Sequence, residues 1–147
     1  MLLVKRANEP CAGKWTVPAG YLELGESAAA GAARETWEEA LCDVSIEGHF
    51  AHLDLPAIGQ AYVLFRAKPK GALSFGAGEE TEEARFVGLE EIDNYDLAFT
   101  AVSVALAKFR ADVDSGRFRV HTGTIAKAPG SRPDDMSAFT LEDYLAT

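Results

Sequence analysis

The sequence predicts an α/β domain, because segments with strand periodicity are interspersed with two helical segments. Residues 44–55 and 60–69 are rich in β-branched and aromatic residues, which favour strands. In residues 27–40, a serine that can cap a helix precedes a run of helix-forming residues. The apolar residues from Phe99 to Val113 recur at helical spacing. At 147 residues the chain is long enough for one domain with a substantial core.

The chain begins with a predicted strand at residues 2–6. Pro10 and Gly13 interrupt the pattern in the following loop, and residues 15–17 form a second short strand. Because the first apolar run starts directly after Met1, we expect a chain that is incomplete at its N-terminus and lacks a preceding strand.

The middle of the chain contains a second acidic segment. Residues 76–85 form a loop rich in Gly and Glu, and a short strand follows at residues 84–89. The second helix comes next, with Asp93 or Asp96 as its predicted cap, and Gly116 ends it.

The C-terminal part has a different composition. Residues 117–147 contain Pro, Gly and Ser and predict a loosely ordered arm. We therefore divide the chain into a domain at residues 1–115 and a C-terminal extension at residues 116–147.

Charge and hydropathy exclude several kinds of partner. The net charge of -9 argues against unaided binding of nucleic acid or of an acidic membrane. No apolar run is long enough to predict a membrane span. Cys11 and Cys42 have no metal or redox spacing, so we expect free thiols in a reducing compartment.

Three carboxylates lie within a five-residue stretch inside the first predicted helix. At roughly 100° per residue, Glu35, Glu38 and Glu39 share an arc of about 100°. Carboxylate oxygens, with water and substrate phosphate, are the ligands that Mg²⁺ prefers. On the same side the small Gly31 would leave room for an anionic ligand, whereas Trp37 lies on the opposite face, which we expect to pack against a sheet.

The segment GYLELGESAAAGAARETWEEALC resembles the Nudix box, G-x5-E-x7-R-E-U-x-E-E-x-G-U, in which U is apolar. Thr36 stands in the first apolar position, and Leu41 stands where the pattern has its second glycine, which usually ends the helix. Six of the seven fixed letters are matched, by Gly20, Glu26, Arg34, Glu35, Glu38 and Glu39.

The resemblance to Nudix proteins implies a fold, a metal and a set of site residues. The implied fold is an α/β/α sandwich with a mixed β-sheet, here with a truncated first strand. The implied cofactor is Mg²⁺ or Mn²⁺, and the implied metal ligands are Glu35, Glu38, Glu39 and Glu80. The catalytic residues would be Arg34, Glu35, Glu38 and Glu80, with the general base open among the three glutamates.

The remaining site residues are also assigned by this resemblance. Gly20 and Glu26 would be structural, and the Glu26–Arg34 pair would orient the neighbouring glutamates. Substrate binding is assigned to Ala19, Tyr21 and Glu23. Trp15, Tyr21 and Phe75 are candidate stacking surfaces for adenine or flavin, with simple packing as the alternative.

Further segments resemble the plant-type FAD pyrophosphatases of the Nudix family. These segments are RFRVHTGTIAKAPGSRP, LPAIGQAYVLFRAK and DLAF. The resemblance implies hydrolysis of FAD to FMN and AMP in a chloroplast, by a protein that can form a homodimer. ADP-ribose, NADH and CoA stay open as substrates of the same chemistry, and a regulatory nucleotide-binding module is the alternative outside catalysis.

Overall fold

The computed structural model describes residues 1–131 and 138–147. Residues 132–137, which include the end of the tail segment quoted above, lie outside the described residues. The chain forms two compact units, one of Met1–Gly48 with Phe65–Ala98 and one of His49–Leu64 with Phe99–Thr147. The boundary predicted between residues 115 and 116 stays a prediction.

The described residues form seven strands and two α-helices, and short 3-10 helices cover Pro56–Ile58 and Leu89–Asn94. In chain order the helices and strands are β1 Leu2–Arg6, β2 Trp15–Thr16, α1 Ala28–Ala40, β3 Val44–Leu55, β4 Gln60–Pro69, β5 Thr81–Phe86, α2 Thr100–Ser115, β6 His121–Lys127 and β7 Phe139–Ala146.

The first unit contains an antiparallel sheet in which β1 lies between β2 and β5. One face of this sheet packs against α1, because Val4 and Ala84 share a core with Ala40 of the helix. Cys42 and Val44 complete the buried part of that core. Burial of these apolar side chains fixes α1 on the sheet.

Helix α1 has defined caps at both ends. The Ser27 hydroxyl accepts a hydrogen bond from the Ala30 N–H at 3.2 Å, as predicted for an N-cap. Leu41 takes the position of the pattern's glycine in a left-handed conformation, with φ of 49°, at a cost of about 1 kcal/mol. The prediction that Trp37 packs against the sheet is wrong, since 53% of its surface is exposed.

The second unit contains most of a mixed sheet with the order β4-β3-β6-β7. Strand β6 is parallel to β3 and antiparallel to β7. The expected loosely ordered arm is therefore wrong for residues 121–127 and 139–146. The core of this unit joins α2 to the sheet and consists of Phe50, Ala51, Leu53, Leu55, Ala101, Ala105 and Ile125.

The α/β class and the mixed sheet are confirmed, and so are the strands at 2–6, 44–55 and 60–69. The later boundaries differ from the predictions. Strand β5 begins at Thr81 rather than at residue 84. Helix α2 begins after Phe99, whose side chain makes no capping bond, so the predicted aspartate cap is wrong. Across 1–131 and 138–147, no helix is long and apolar enough to cross a membrane.

A buried polar cluster joins α2 to the two C-terminal strands of the second unit. Asp112 accepts hydrogen bonds from the Arg119 N–H and from His121 Nε2, both at 2.9 Å. The other ring nitrogen of His121 lies 2.7 Å from the Tyr144 hydroxyl. Burial raises the pKa of Asp112, but the hydrogen bonds from Arg119 and His121 outweigh it, and the pKa lies below the ordinary value.

We predict that Asp112→Ala lowers the free energy of unfolding by about 3 kcal/mol, because it leaves His121 and the Arg119 N–H without their buried acceptor. Asp114→Ala changes an exposed aspartate of the same helix and should cost less than about 0.5 kcal/mol. Urea unfolding at pH 7 measures both. Equal losses of unfolding free energy in the two variants would contradict the role of Asp112 as the buried acceptor.

The same cluster predicts a pH dependence. The pKa of Asp112 is lower in the folded than in the unfolded protein, so its stabilisation is present above about pH 4 and is lost as the pH falls through the folded-state pKa. Wild type should therefore lose more stability than Asp112→Ala between pH 5 and pH 3. Parallel pH profiles of the two proteins would contradict this prediction.

Candidate active site

The guanidinium of Arg34 connects the loop before α1 to two glutamates of the helix. Its Nε and Nη2 donate to the two carboxylate oxygens of Glu26, at 3.1 and 2.7 Å. Its Nη1 donates to both Glu35 at 2.8 Å and Glu38 at 3.0 Å. Nη2 also donates to the carbonyl oxygen of Tyr21 at 3.1 Å. A planar guanidinium is the side chain whose donors can satisfy this many acceptors at once.

Glu26 is the anionic partner that fixes this arrangement. Its hydrogen bonds from Arg34 and from the Glu23 N–H hold its pKa at about 2, against the opposing effect of burial. The Glu23 N–H donates at 2.8 Å, so Glu23 contributes its backbone, while its side chain is exposed. The pKa of Arg34 is raised in turn by Glu26 and Glu35. The loop is thus tied to α1 by charge-assisted bonds.

Two glycines allow close approach within this site. A Cβ on Gly20 would lie 2.1 Å from the carboxyl group of Glu35. A Cβ on Gly31 would lie 2.7 Å from Leu22 and 2.8 Å from a Glu26 oxygen. The prediction that Gly31 leaves room for a ligand is therefore wrong, because the protein's own loop occupies that space.

Glu39 lies on the same helix but in a different environment. Its carboxylate accepts a hydrogen bond from the Ala19 N–H at 2.9 Å. Burial raises the pKa of Glu39 to about 7. This net pKa also includes upward contributions from the charges of Glu35 and Glu80 and downward ones from the Ala19 N–H and the Arg6 cation. The predicted site residues Ala19, Glu35, Glu39 and Glu80 are therefore near enough to interact.

The loop that carries Glu80 is attached to the end of α1. The Gly76 N–H donates to the Ala40 carbonyl at 2.8 Å, and the Gly78 N–H donates to the Glu39 carbonyl at 3.1 Å. The Thr81 hydroxyl also donates to the Glu39 carbonyl, at 2.7 Å. Gly78 and Thr81 are not among the predicted site residues, although the spaced glycines before β5 are a signal for a close backbone approach.

The candidate stacking residues differ in exposure. Tyr21 is 79% exposed in the loop before α1. Trp15 packs edge-on against Tyr95 with ring centroids 5.1 Å apart, and Phe75 packs in the same way against Phe86. Trp15 and Phe75 have aromatic ring partners, and Tyr21, whose carbonyl accepts from Arg34, is the most exposed of the three.

A cavity of about 600 Å³ lies elsewhere in the first unit, and none of the predicted metal ligands lines it. Trp15 lines it, with the Arg85 guanidinium 5.4 Å from the Trp15 ring centroid. Arg85 is also paired with Glu83, and Lys5 with Glu82, so these cations of the cavity are already compensated.

The carboxylates fit a hard divalent cation in donor type. Within the described ranges, however, no three His, Cys, Asp or Glu residues form a ready ligand set. Arg34 holds Glu35 and Glu38, and the Ala19 N–H holds Glu39. A cation at these residues would offset the negative charge of the neighbouring glutamates.

The comparison with family models decides the family. The model of the NUDIX domain matches residues 1–108. The chain belongs to the Nudix domain family. The Nudix fold accounts for the α/β arrangement described above, with its box residues on α1 and in the loop before it.

Solved structures of Nudix proteins are similar to this chain. A NUDIX hydrolase from Nitrosomonas europaea is 44% identical with a TM-score of 0.81, and the match covers 86% of this chain and 71% of that one. An ADP-ribose pyrophosphatase from Streptococcus suis is 26% identical with a TM-score of 0.58, over 74% of this chain and 81% of that one.

A MutT-like protein from Streptomyces ambofaciens is 33% identical over 81 residues, which are 55% of this chain and 51% of that protein. The chain thus spans about half the length of this curated Nudix relative.

We predict that Glu39 destabilises the metal-free protein as the pH rises from 4.5, the ordinary pKa of its carboxyl group, to about 7, its pKa in the folded state. The reason is that the folded state keeps the Glu39 proton to a higher pH than the unfolded state does. Glu39→Gln removes this effect. Its stability relative to wild type should be higher at pH 8 than at pH 5 by roughly 1 to 3 kcal/mol.

Urea unfolding in the presence of a chelator measures this difference. Glu79→Gln, a change at an exposed glutamate of the neighbouring loop, is the control and should show no such pH dependence. A Glu39→Gln effect that is equal at both pH values would contradict the raised pKa.

Proposed function

We propose that this chain hydrolyses the pyrophosphate bond of a nucleoside diphosphate derivative, with FAD as the leading substrate. Water would attack one phosphorus, the bridging P–O bond would break, and the products would be FMN and AMP. The observation that carries the proposal is the group of box glutamates arranged by Arg34 on α1. The proposed catalytic domain covers residues 1–115.

Nudix hydrolases generally use Mg²⁺ or Mn²⁺, and Glu35, Glu38, Glu39 and Glu80 are the proposed ligands. When bound, such a cation neutralises phosphate charge and lowers the pKa of a coordinated water. Glu35, Glu38 and Glu80 are the candidates for the general base.

The remaining residues would position these groups. Arg34 would keep Glu35 and Glu38 oriented, and Gly20 would let the loop backbone lie against Glu35. Ala19, Tyr21 and Glu23 would face the substrate, with the exposed Tyr21 ring as a stacking surface for a planar base.

The choice of FAD depends on the resemblance of three segments to plant-type FAD pyrophosphatases. ADP-ribose is the second candidate, because a Nudix relative of 26% identity is called an ADP-ribose pyrophosphatase. NADH and CoA have the same reactive bond and serve as further comparison substrates. The chloroplast location and the homodimer follow from the resemblance alone, and the relatives named above are bacterial.

The test incubates the purified protein with Mg²⁺ and FAD, ADP-ribose, NADH or CoA and separates the products by chromatography. We expect FMN and AMP from FAD at a higher kcat/KM than for the other substrates. Glu38→Gln should reduce the rate by roughly 10²-fold, whereas Glu142→Gln, at an exposed strand position of the second unit, should leave it unchanged. Light scattering of the same sample reports whether it is a dimer.

The outcomes separate the proposals. If ADP-ribose is cleaved faster than FAD, ADP-ribose replaces FAD as the proposed substrate, and the proposed hydrolysis of a pyrophosphate bond still holds. If the protein binds these nucleotides but hydrolyses none of them, the proposal that it is an enzyme is contradicted and a regulatory nucleotide-binding module is favoured.

A further inference from the structure

The segment of residues 76–81, called here the Glu80 loop, donates hydrogen bonds to the carbonyl groups at the C-terminal end of α1. The last carbonyl groups of a helix have no partner within the helix. The Ala40 carbonyl accepts from the Gly76 N–H at 2.8 Å, and the Glu39 carbonyl accepts from the Gly78 N–H at 3.1 Å. The end of α1 and the Glu80 loop are therefore joined through their backbones.

The hydroxyl of Thr81 makes two of the bonds that hold this junction. It donates to the Glu39 carbonyl at 2.7 Å and accepts from the Gly78 N–H at 2.9 Å. Thr81 is only 8% exposed, so water competes little for these groups. A valine has nearly the same shape and could make neither bond.

Gly78 brings the loop into direct contact with the helix backbone. A Cβ at this position would lie 1.7 Å from the carbonyl oxygen of Glu38 and 3.1 Å from the Cα of Glu39. Any larger residue would therefore push the loop away from the turn that carries these two glutamates.

Glu80 lies between these fixed points. Its carbonyl oxygen accepts from the Ala7 N–H at 3.3 Å, and Thr81 follows it directly. Gly78 before it and Thr81 after it both donate to the Glu39 carbonyl, so the backbone at Glu80 lies against the last turn of α1. The position of Glu80 therefore depends on the bonds made by its neighbours.

We propose that Thr81 is a positioning residue, whose hydroxyl fixes the Glu80 loop on the last turn of α1 and so holds Glu80 beside Glu39 for metal binding. This inference rests on the proposed metal-dependent function and adds a residue outside the box. The hydroxyl acts through Glu80 and does not itself contact metal or substrate.

The test measures Mn²⁺ affinity by electron paramagnetic resonance, without substrate, for wild type, Thr81→Val and Thr81→Ser. We expect Thr81→Val to weaken binding by about tenfold and Thr81→Ser, which keeps the hydroxyl, to restore it to within about twofold. Thr140→Val, at an exposed strand position of the second unit, should leave the affinity unchanged. Amide hydrogen exchange of Gly76 and Gly78 should become faster in Thr81→Val alone.

A double-mutant cycle with Glu80→Gln separates positioning from general stability. If Thr81 acts through Glu80, Thr81→Val should have little further effect on Mn²⁺ affinity in the Glu80→Gln protein. Gly78→Ala, which displaces the loop by contact rather than by loss of a hydrogen bond, should weaken Mn²⁺ binding as well. It provides the second measurement if Thr81→Val does not fold.

Several outcomes would overturn the inference. Wild-type binding that Thr81→Val and Gly78→Ala leave unchanged would contradict the role of Thr81 and leave the proposed function intact. An equal loss from Thr81→Val with and without Glu80→Gln would assign Thr81 a purely structural role. A wild-type protein that binds no Mn²⁺ would overturn the proposed function, and the role of Thr81 with it.

Discussion

The contact on which the site depends is the guanidinium of Arg34 shared among three carboxylates and a backbone carbonyl. It holds Glu35 and Glu38 through one nitrogen, at 2.8 and 3.0 Å, although the two carboxylates repel each other. Its remaining donors bind Glu26 and the Tyr21 carbonyl and so fasten the loop before α1 to the helix. A lysine has neither the planar fork nor enough donors for this geometry.

This arrangement gives the glutamates different tasks. Glu26, with a pKa of about 2, stays a fixed anion that locks the loop. Glu39 accepts the Ala19 N–H, and its pKa of about 7 reflects burial and the charges of Glu35 and Glu80. The physical reason for expecting a divalent cation at this end of the helix is the group of carboxylate oxygens there, which are the ligands such a cation prefers.

Local patterns predicted the parts of the molecule that depend on local chemistry. Ser27 and the spacing of the box glutamates predicted α1 and its acidic face, because a cap and a 3.6-residue period act within a few residues. The strand character of residues 121–127 could not be predicted in this way, since this Thr- and Gly-containing segment is ordered by parallel pairing with the distant β3. The packing of Trp37 was predicted wrongly because helical periodicity shows the direction of the buried face but not how much of the helix circumference it covers. Thr81 escaped notice because its role depends on a backbone carbonyl 42 residues away.

The position of Mn²⁺ in crystals of the protein, located by anomalous diffraction, tests directly whether the glutamates around Arg34 form the metal site. We expect density bounded by carboxylate oxygens of Glu35, Glu38, Glu39 and Glu80, with Arg34 still bound to Glu26. Mn²⁺ bound only elsewhere, with Glu35 and Glu38 still paired with Arg34, would contradict the claim that this glutamate group is the metal site.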